Sequence, residues 1–244
     1  MKKRTILFQS DWALAKTGFG RNTKALLEYL HNTGKYEVIN YCCGIPENNP
    51  ELGRTPWKSI GCLPSDPAEL QQLQRDPLVA RAANYGAHRL DKVIFDYKPD
   101  VYFAVQDIWG VDFAINRKWF KKIHSVIWTT IDSRPIIESA VAAAKKTKNF
   151  WVWSDFAMKD MHKLDFKQVE TVHGAIDDSK FSRLSDVDRK KIRREQGIEQ
   201  DEFVVGFVFR NQLRKSVPNL LDGYKQFKVE NPDTKTKLLL HTHF

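Results

Sequence analysis

Cysteine is scarce in this sequence. Three occur in 244 residues, and two of them, Cys42 and Cys43, are adjacent. That excludes a disulfide framework. No Cys-x-x-Cys spacing occurs, so the ligand pattern of a structural zinc site is missing. Sparse, unpatterned cysteine suits a reducing, cytoplasmic setting. Long apolar runs are missing too. The longest, 203–209, holds seven residues including Gly206, against the roughly 20 that a membrane span needs. The apolar stretch after the basic start ends at Gln9, too early for a signal-peptide core. These absences argue against a secreted or integral membrane protein.

What is present is globular. Hydrophobic residues make up 42% and charged residues 28%, too rich in aliphatic and aromatic side chains for disorder. Lys plus Arg (39) exceeds Asp plus Glu (30), for a net charge of +9. Such an excess admits an anionic partner: nucleic acid, a membrane surface or a phosphorylated small molecule. The densest cluster runs from Arg189 to Arg194. It reads as the solvated face of a basic helix. Asp186 and Asp188 have the spacing of a metal-binding pair. Helix N-terminal charge after Ser185 explains them better, so no metal site is expected. No zinc-finger or RNA-recognition motif accompanies the basic residues, and no specific nucleic-acid partner is expected. Peripheral contact with a membrane stays open.

Short apolar runs alternate with helix-length segments. Strands are expected at 5–9, 38–42, 101–105, 125–129, 150–153 and 168–172. Helices are expected at 21–31 and 139–148, and 68–97 is expected to be largely helical. Residues 45–66 contain Pro46, Pro50, Pro56 and Pro64 and read mostly as loop. The pattern implies βαβ units around a parallel sheet. After a polar stretch, strand 203–209, helix 217–229 and strand 237–241 begin a second unit. Ser216 is the expected N-cap of that helix, with Pro218 in its first turn. The fold class is therefore α/β. Residues 1–175 form a Rossmann-like domain, 176–200 a linker and 201–244 the start of a second domain. Either the tail joins the first sheet or the chain is the front part of a longer protein. The second is preferred, because so small a unit needs neighbours to cover it.

Two turns carry chemistry. In the first, Gly18, Phe19 and Gly20 open a helix directly after strand one. Glycine lets a backbone approach a ligand, and a helix N-terminus offers free N–H groups to an anion. A merely tight turn also fits. A nicotinamide cofactor is disfavoured: Thr23 takes the third glycine position, and strand two ends without an acid. In the second turn, Arg210, Arg214 and Lys215 lie between an apolar strand and a helix. There they could grip a pyrophosphate, or form a solvated basic loop. Gln106 and Asp107 end a strand and could line a cleft. Trp109 beside them fits either a sugar platform or core.

Together these pieces resemble the retaining glycosyltransferases of the GT-B fold, closest to family 4. The resemblance rests on Gly18 to Gly20 with Leu26-Leu27-Glu28-Tyr29-Leu30, then on Val172-His173-Gly174-Ala175-Ile176-Asp177 with Phe181. It continues through Val205 to Arg210 with Lys215, and Leu238 to His241. It implies a hexosyltransferase that moves a sugar from a nucleotide diphosphate sugar, with retention, to a glycan, lipid or other hydroxyl acceptor. It implies no obligatory cofactor or metal. Arg210 and Lys215, with Gly18, Phe19 and Gly20, would hold the donor diphosphate. Asp107, His173, Gly174 and Asp177 would line the cleft and hinge. Asp132 would stand where the family often has a His, facing the acceptor, although a strand-end Asp that caps the next segment fits equally. The family's paired glutamates would lie past Phe244, so the 244-residue chain alone is expected to be inactive. A non-catalytic glycan-binding module is the alternative reading, followed by a basic nucleic-acid-binding protein.

Overall fold

The computed structural model describes residues 3–174, 179 and 181–242. The chain divides into two units, 1–176 and 177–244.

The first unit is built on a seven-stranded sheet. Its strands are β1 (Arg4–Asp11), β2 (Tyr36–Pro46), β3 (Lys58–Leu63), β4 (Val101–Val105), β5 (His124–Thr129), β6 (Phe150–Val152) and β7 (Glu170–Thr171). They lie in the order β3-β2-β1-β4-β5-β6-β7, and every neighbouring pair is parallel. Helix α1 (Gly18–Asn32) returns the chain from β1 to β2. Helices α2 (Pro67–Gln74), α3 (Pro77–Asn84) and α4 (Leu90–Tyr97) lead across to β4. Helices α5 (Ile108–Val111), α6 (Glu138–Ala144) and α7 (Asp155–Lys163) follow the next three strands.

Both faces of the central strands are covered, which explains their continuous apolar runs. On one face Leu7, Ile39, Tyr102 and Ile127 pack with Leu90, Val93, Ala143 and Met161. On the other, Ile6, Phe8 and Val38 pack with Leu27 of α1 and with Trp128.

The structure refines three expectations from sequence. Residues 58–63 are not loop but edge strand β3, held through β2 alone. Residues 68–97 are largely helical, as expected, but in three helices. Pro77, capped by Asp76, starts α3, and Gly86 breaks the chain at φ +89°. Helix α7 was not expected at all. Ser154 caps it by accepting from Ala157 N at 3.3 Å.

The second unit contains α8 (Asp186–Glu195), β8 (Phe203–Val208), α9 (Val217–Glu230) and β9 (Thr236–His241). Strands β8 and β9 pair in parallel. Ser185 caps α8: its Oγ accepts from Asp188 N at 3.0 Å and donates to Asp188 Oδ2 at 2.6 Å. The Asp186–Asp188 spacing is thus helix capping here. Ser216 precedes α9 but makes no side-chain cap bond. Its backbone is left-handed, at φ +48°.

Among the described residues no helix is long and apolar enough to cross a membrane.

Candidate functional site

The strand order reverses direction between β1 and β4. From β1 the chain winds outward to β2 and β3, then crosses to β4. In open α/β sheets the crevice outside the carboxyl ends of two such strands is where ligands bind. Polar side chains converge there.

Asp11 ends β1. Its Oδ1 accepts from Gln106 Nε2 at 2.5 Å, and its Oδ2 accepts from Thr17 Oγ1 at 2.5 Å. Gln106 follows β4, and its Oε1 accepts from Asp107 N at 3.1 Å. Asp107 Oδ1 in turn accepts from Thr130 Oγ1, just past β5. One hydrogen-bonded chain therefore links the ends of β1, β4 and β5. Beneath it, Gln9 is fully buried. Its Nε2 donates to Tyr85 O at 2.5 Å, and its Oε1 accepts from Tyr102 OH. Burial holds the Tyr102 phenol protonated and well above its usual range.

The glycine turn has a more specific architecture than its sequence suggests. Thr17 is the N-cap of α1, and its Oγ1 accepts from Gly20 N at 2.9 Å. That N–H is therefore spent inside the protein. Gly20 is required for packing: a Cβ there would sit 2.5 Å from Ala15 O and 2.9 Å from Trp12 O. Around Gly18 the space is open. Among the described residues, Gly18 and Phe19 N–H have no protein acceptor. They are the groups of this turn that remain for an anion. Phe19 also reaches inward and meets Trp153 edge-on, with centroids 5.5 Å apart.

Trp153 stacks on Trp128 at 4.9 Å and lies against Gly174. A Cβ at position 174 would penetrate the indole, so this glycine is dictated by the ring beside it. His173 is exposed. Its Nδ1 lies 3.0 Å from Trp153 O, and its Nε2 lies 3.9 Å from Asp155 Oδ1. Asp177, the remaining hinge residue expected from sequence, lies outside the described residues.

Asp132 is not drawn into this network. It is exposed on the loop after β5, and it does not cap α6, which follows Ile137 without a side-chain cap bond. The loop itself is pinned. Arg134 grips Asp160 of α7 with Nε and Nη2, the second at 2.9 Å, and Lys163 adds a contact at 2.7 Å. These cations hold the Asp160 carboxyl down at about 2.

In the second unit, Arg210 and Arg214 are exposed and Lys215 is half-buried. They follow β8, and residues Leu213–Lys215 form a short 3-10 turn before α9. Among the described residues, none of the three basic side chains has a hydrogen-bond or ion-pair partner.

The sequence places Gln106, Asp107 and the turn that begins at Thr17 at strand ends, but it does not single out Asp11, Tyr85 or Thr130, nor the capping role of Thr17. For Asp11 a signal existed: an acid directly closes an apolar strand and precedes a glycine turn. Nothing local marked Tyr85.

No family model matches the chain, and no curated protein matches it. Solved structures do match. Sucrose-phosphate synthase from Thermosynechococcus elongatus aligns with 98% of this chain and 62% of its own, with a TM-score of 0.66 and 15% identity. The UDP-GlcNAc 2-epimerase from Neisseria meningitidis, bound to UDP-GlcNAc, aligns with 99% of this chain and 66% of its own, with a TM-score of 0.52 and 11% identity. The chain thus spans less than two thirds of either protein. The likeness establishes the fold: an α/β chain with the Rossmann-like architecture of GT-B proteins.

Proposed function

We propose that the chain is part of a retaining, family 4-like glycosyltransferase, taking a sugar from a nucleotide diphosphate sugar to a hydroxyl acceptor. The carrying observation is a pair of turns. Each follows the carboxyl end of a parallel strand and opens toward a helix, and each keeps anion-binding groups unpaired among the described residues. One offers the N–H groups of Gly18 and Phe19, the other the cations Arg210, Arg214 and Lys215. Each turn, taken by itself, suits a phosphate of a nucleotide sugar. The solved structures of similar fold support this reading, because one is named a synthase of a sugar phosphate and the other holds a nucleotide sugar. In this reading Arg210 and Lys215 stabilise charge on the leaving diphosphate, and Asp107 and Asp132 face the acceptor side. By the resemblance, His173 and Gly174 belong to the hinge motif.

The test is transfer by the complete protein carrying Arg210→Ala or Lys215→Ala. Each lost charge-assisted bond contributes about 1.5–3 kcal/mol, so transfer should fall roughly 10- to 150-fold. Neither change should lower Tm, since neither side chain has a protein partner among the described residues. Undiminished transfer in both variants overturns the proposal. Glycan binding without turnover would leave the binding-module reading, and steeply salt-dependent nucleic-acid binding the third one.

A further inference from the structure

The amino ends of β5 and β6 collect positive charge that neither the core nor the crevice uses. Residues 117–123 turn into β5, and residues 145–149 lead into β6. The two strands are parallel neighbours, so both segments lie at the same end of the sheet, opposite the switch-point crevice. Two contacts stitch them together. Lys146 Nζ donates to Asn116 Oδ1, and Asn149 Nδ2 lies 3.5 Å from His124 Nε2. The residues between these ties are therefore held side by side.

Trp119 and Phe120 anchor the turn. Trp119 meets Tyr102 edge-on at 4.9 Å, and Phe120 is buried. Lys118, Lys121 and Lys122 are exposed, as are Lys145, Lys146 and Lys148. Neither segment contains an acid. Among the described residues no ion pair engages these six lysines, and only Lys146 makes a side-chain hydrogen bond, to a neutral amide. The acids that border the patch are occupied. Asp91 accepts from Arg117 at 3.0 Å and from Trp119 at 2.7 Å, and Asp100 Oδ2 accepts from Thr5 N at 2.8 Å.

A helix C-terminus favours cations, which accounts for Lys145 and Lys146 at the end of α6. It does not account for Lys121 and Lys122, which close a turn and not a helix. Crowded like charges weaken a fold through self-repulsion, so the set answers to an anion outside it. All six are lysine. An ammonium is a compact point charge without the fork that reads a base edge. The aromatics of the turn are spent on packing and not on stacking a base. Roughly four to eight such cations in one place suit a surface of many anionic headgroups. The densest basic run in the sequence, on α8, fits less well. Its Arg189 pairs with Asp186 at 3.5 Å and its Lys191 with Glu195 at 4.0 Å.

We infer that the lysine face at the amino ends of β5 and β6 docks the protein, reversibly and by charge, on an anionic phospholipid bilayer. Docking there leaves the crevice at the carboxyl ends uncovered. The inference is independent of the glycosyltransferase reading.

The experiment is sedimentation of the chain with vesicles of phosphatidylcholine alone and of phosphatidylcholine with about 30% phosphatidylserine. Only the anionic vesicles should bind, and about 1 M salt, where the Debye length is about 3 Å, should release the chain. Lys121→Gln/Lys122→Gln and Lys145→Gln/Lys148→Gln should each weaken binding roughly 10- to 30-fold. Lys190→Gln/Lys191→Gln removes the same charge from α8 and should weaken it less than about threefold. Lys121→Arg/Lys122→Arg keeps the charge and should bind like the parent. All four variants should keep the parent's Tm. Duplex DNA at equal phosphate concentration should not strip the chain from the vesicles. The inference is overturned if anionic vesicles are not bound, if the α8 variant loses as much as the other two, or if DNA displaces the vesicles. Turnover of nucleotide sugars measured without lipid tests the other reading, so the two fail separately.

Discussion

Gln106 donates from Nε2 to Asp11 Oδ1 at 2.5 Å, joining residues 95 positions apart. The bond spans β1 and β4 where the strand order reverses. The other oxygen of Asp11 holds Thr17, and Thr17 caps α1 through Gly20 N. One carboxylate thus ties the far strand to the start of the glycine-turn helix. Its job in the fold is to fix where that helix begins.

Asp11→Asn should therefore loosen the unit. Asparagine offers one acceptor oxygen where two donors now arrive, so one donor would face an amide NH₂. Leaving a half-buried donor unsatisfied costs about 1–3 kcal/mol. For a unit of this size Tm should fall by about 2–10 °C. A thermal melt that superimposes on the parent would contradict the network.

The two glycines of the turn should separate cleanly. Gly20→Ala forces a methyl against two backbone carbonyls and should destabilise by about 1–3 kcal/mol. Gly18→Ala enters open space and should change stability by no more than about 0.5 kcal/mol. Denaturant melts of both variants check this. Equal losses would mean that the turn is packed differently. In the proposed enzyme, Gly18→Val would instead reduce kcat/KM while leaving the melt unchanged.

That contrast also shows what the sequence could disclose. Strands 101–105 and 125–129 were legible because parallel strands covered on both faces become plain apolar runs. Strand β3 was not. It has Ile60, Cys62 and Leu63 but sits among four prolines and pairs on one side. In α1 the helical spacing of Ala25, Leu26, Tyr29 and Leu30 would make them the inner face. In the fold Ala25 and Tyr29 are exposed, and Gly20, Thr23 and Leu27 are inside. A short helix leaning on a twisted sheet buries its N-terminal small residues, which hydropathy spacing underrates. The Asp11–Gln106 bond was illegible for a different reason. Its partners are polar, far apart in sequence, and brought together by the strand order alone.

The pinned loop after β5 gives a pH prediction. Arg134, then Lys163, holds the Asp160 carboxyl near 2 in the folded protein, below the roughly 3.9 of an unfolded chain. A depressed folded value means a contribution that is complete above about pH 4 and lost as pH falls toward 2. Melts from pH 6 to pH 2 should therefore show Asp160→Asn less stable than the parent at the upper end. The gap should close as the acid limit is approached. A gap that stays constant across this range would contradict the ion pair.

The most direct measurement is turnover by the complete protein with a panel of nucleoside diphosphate sugars and neutral pyranoside acceptors, read by NMR at the anomeric proton. One donor should be consumed, and the glycoside formed should keep the anomeric configuration of the donor. If no nucleotide sugar is bound or consumed, the donor reading of Gly18, Phe19, Arg210 and Lys215 is wrong.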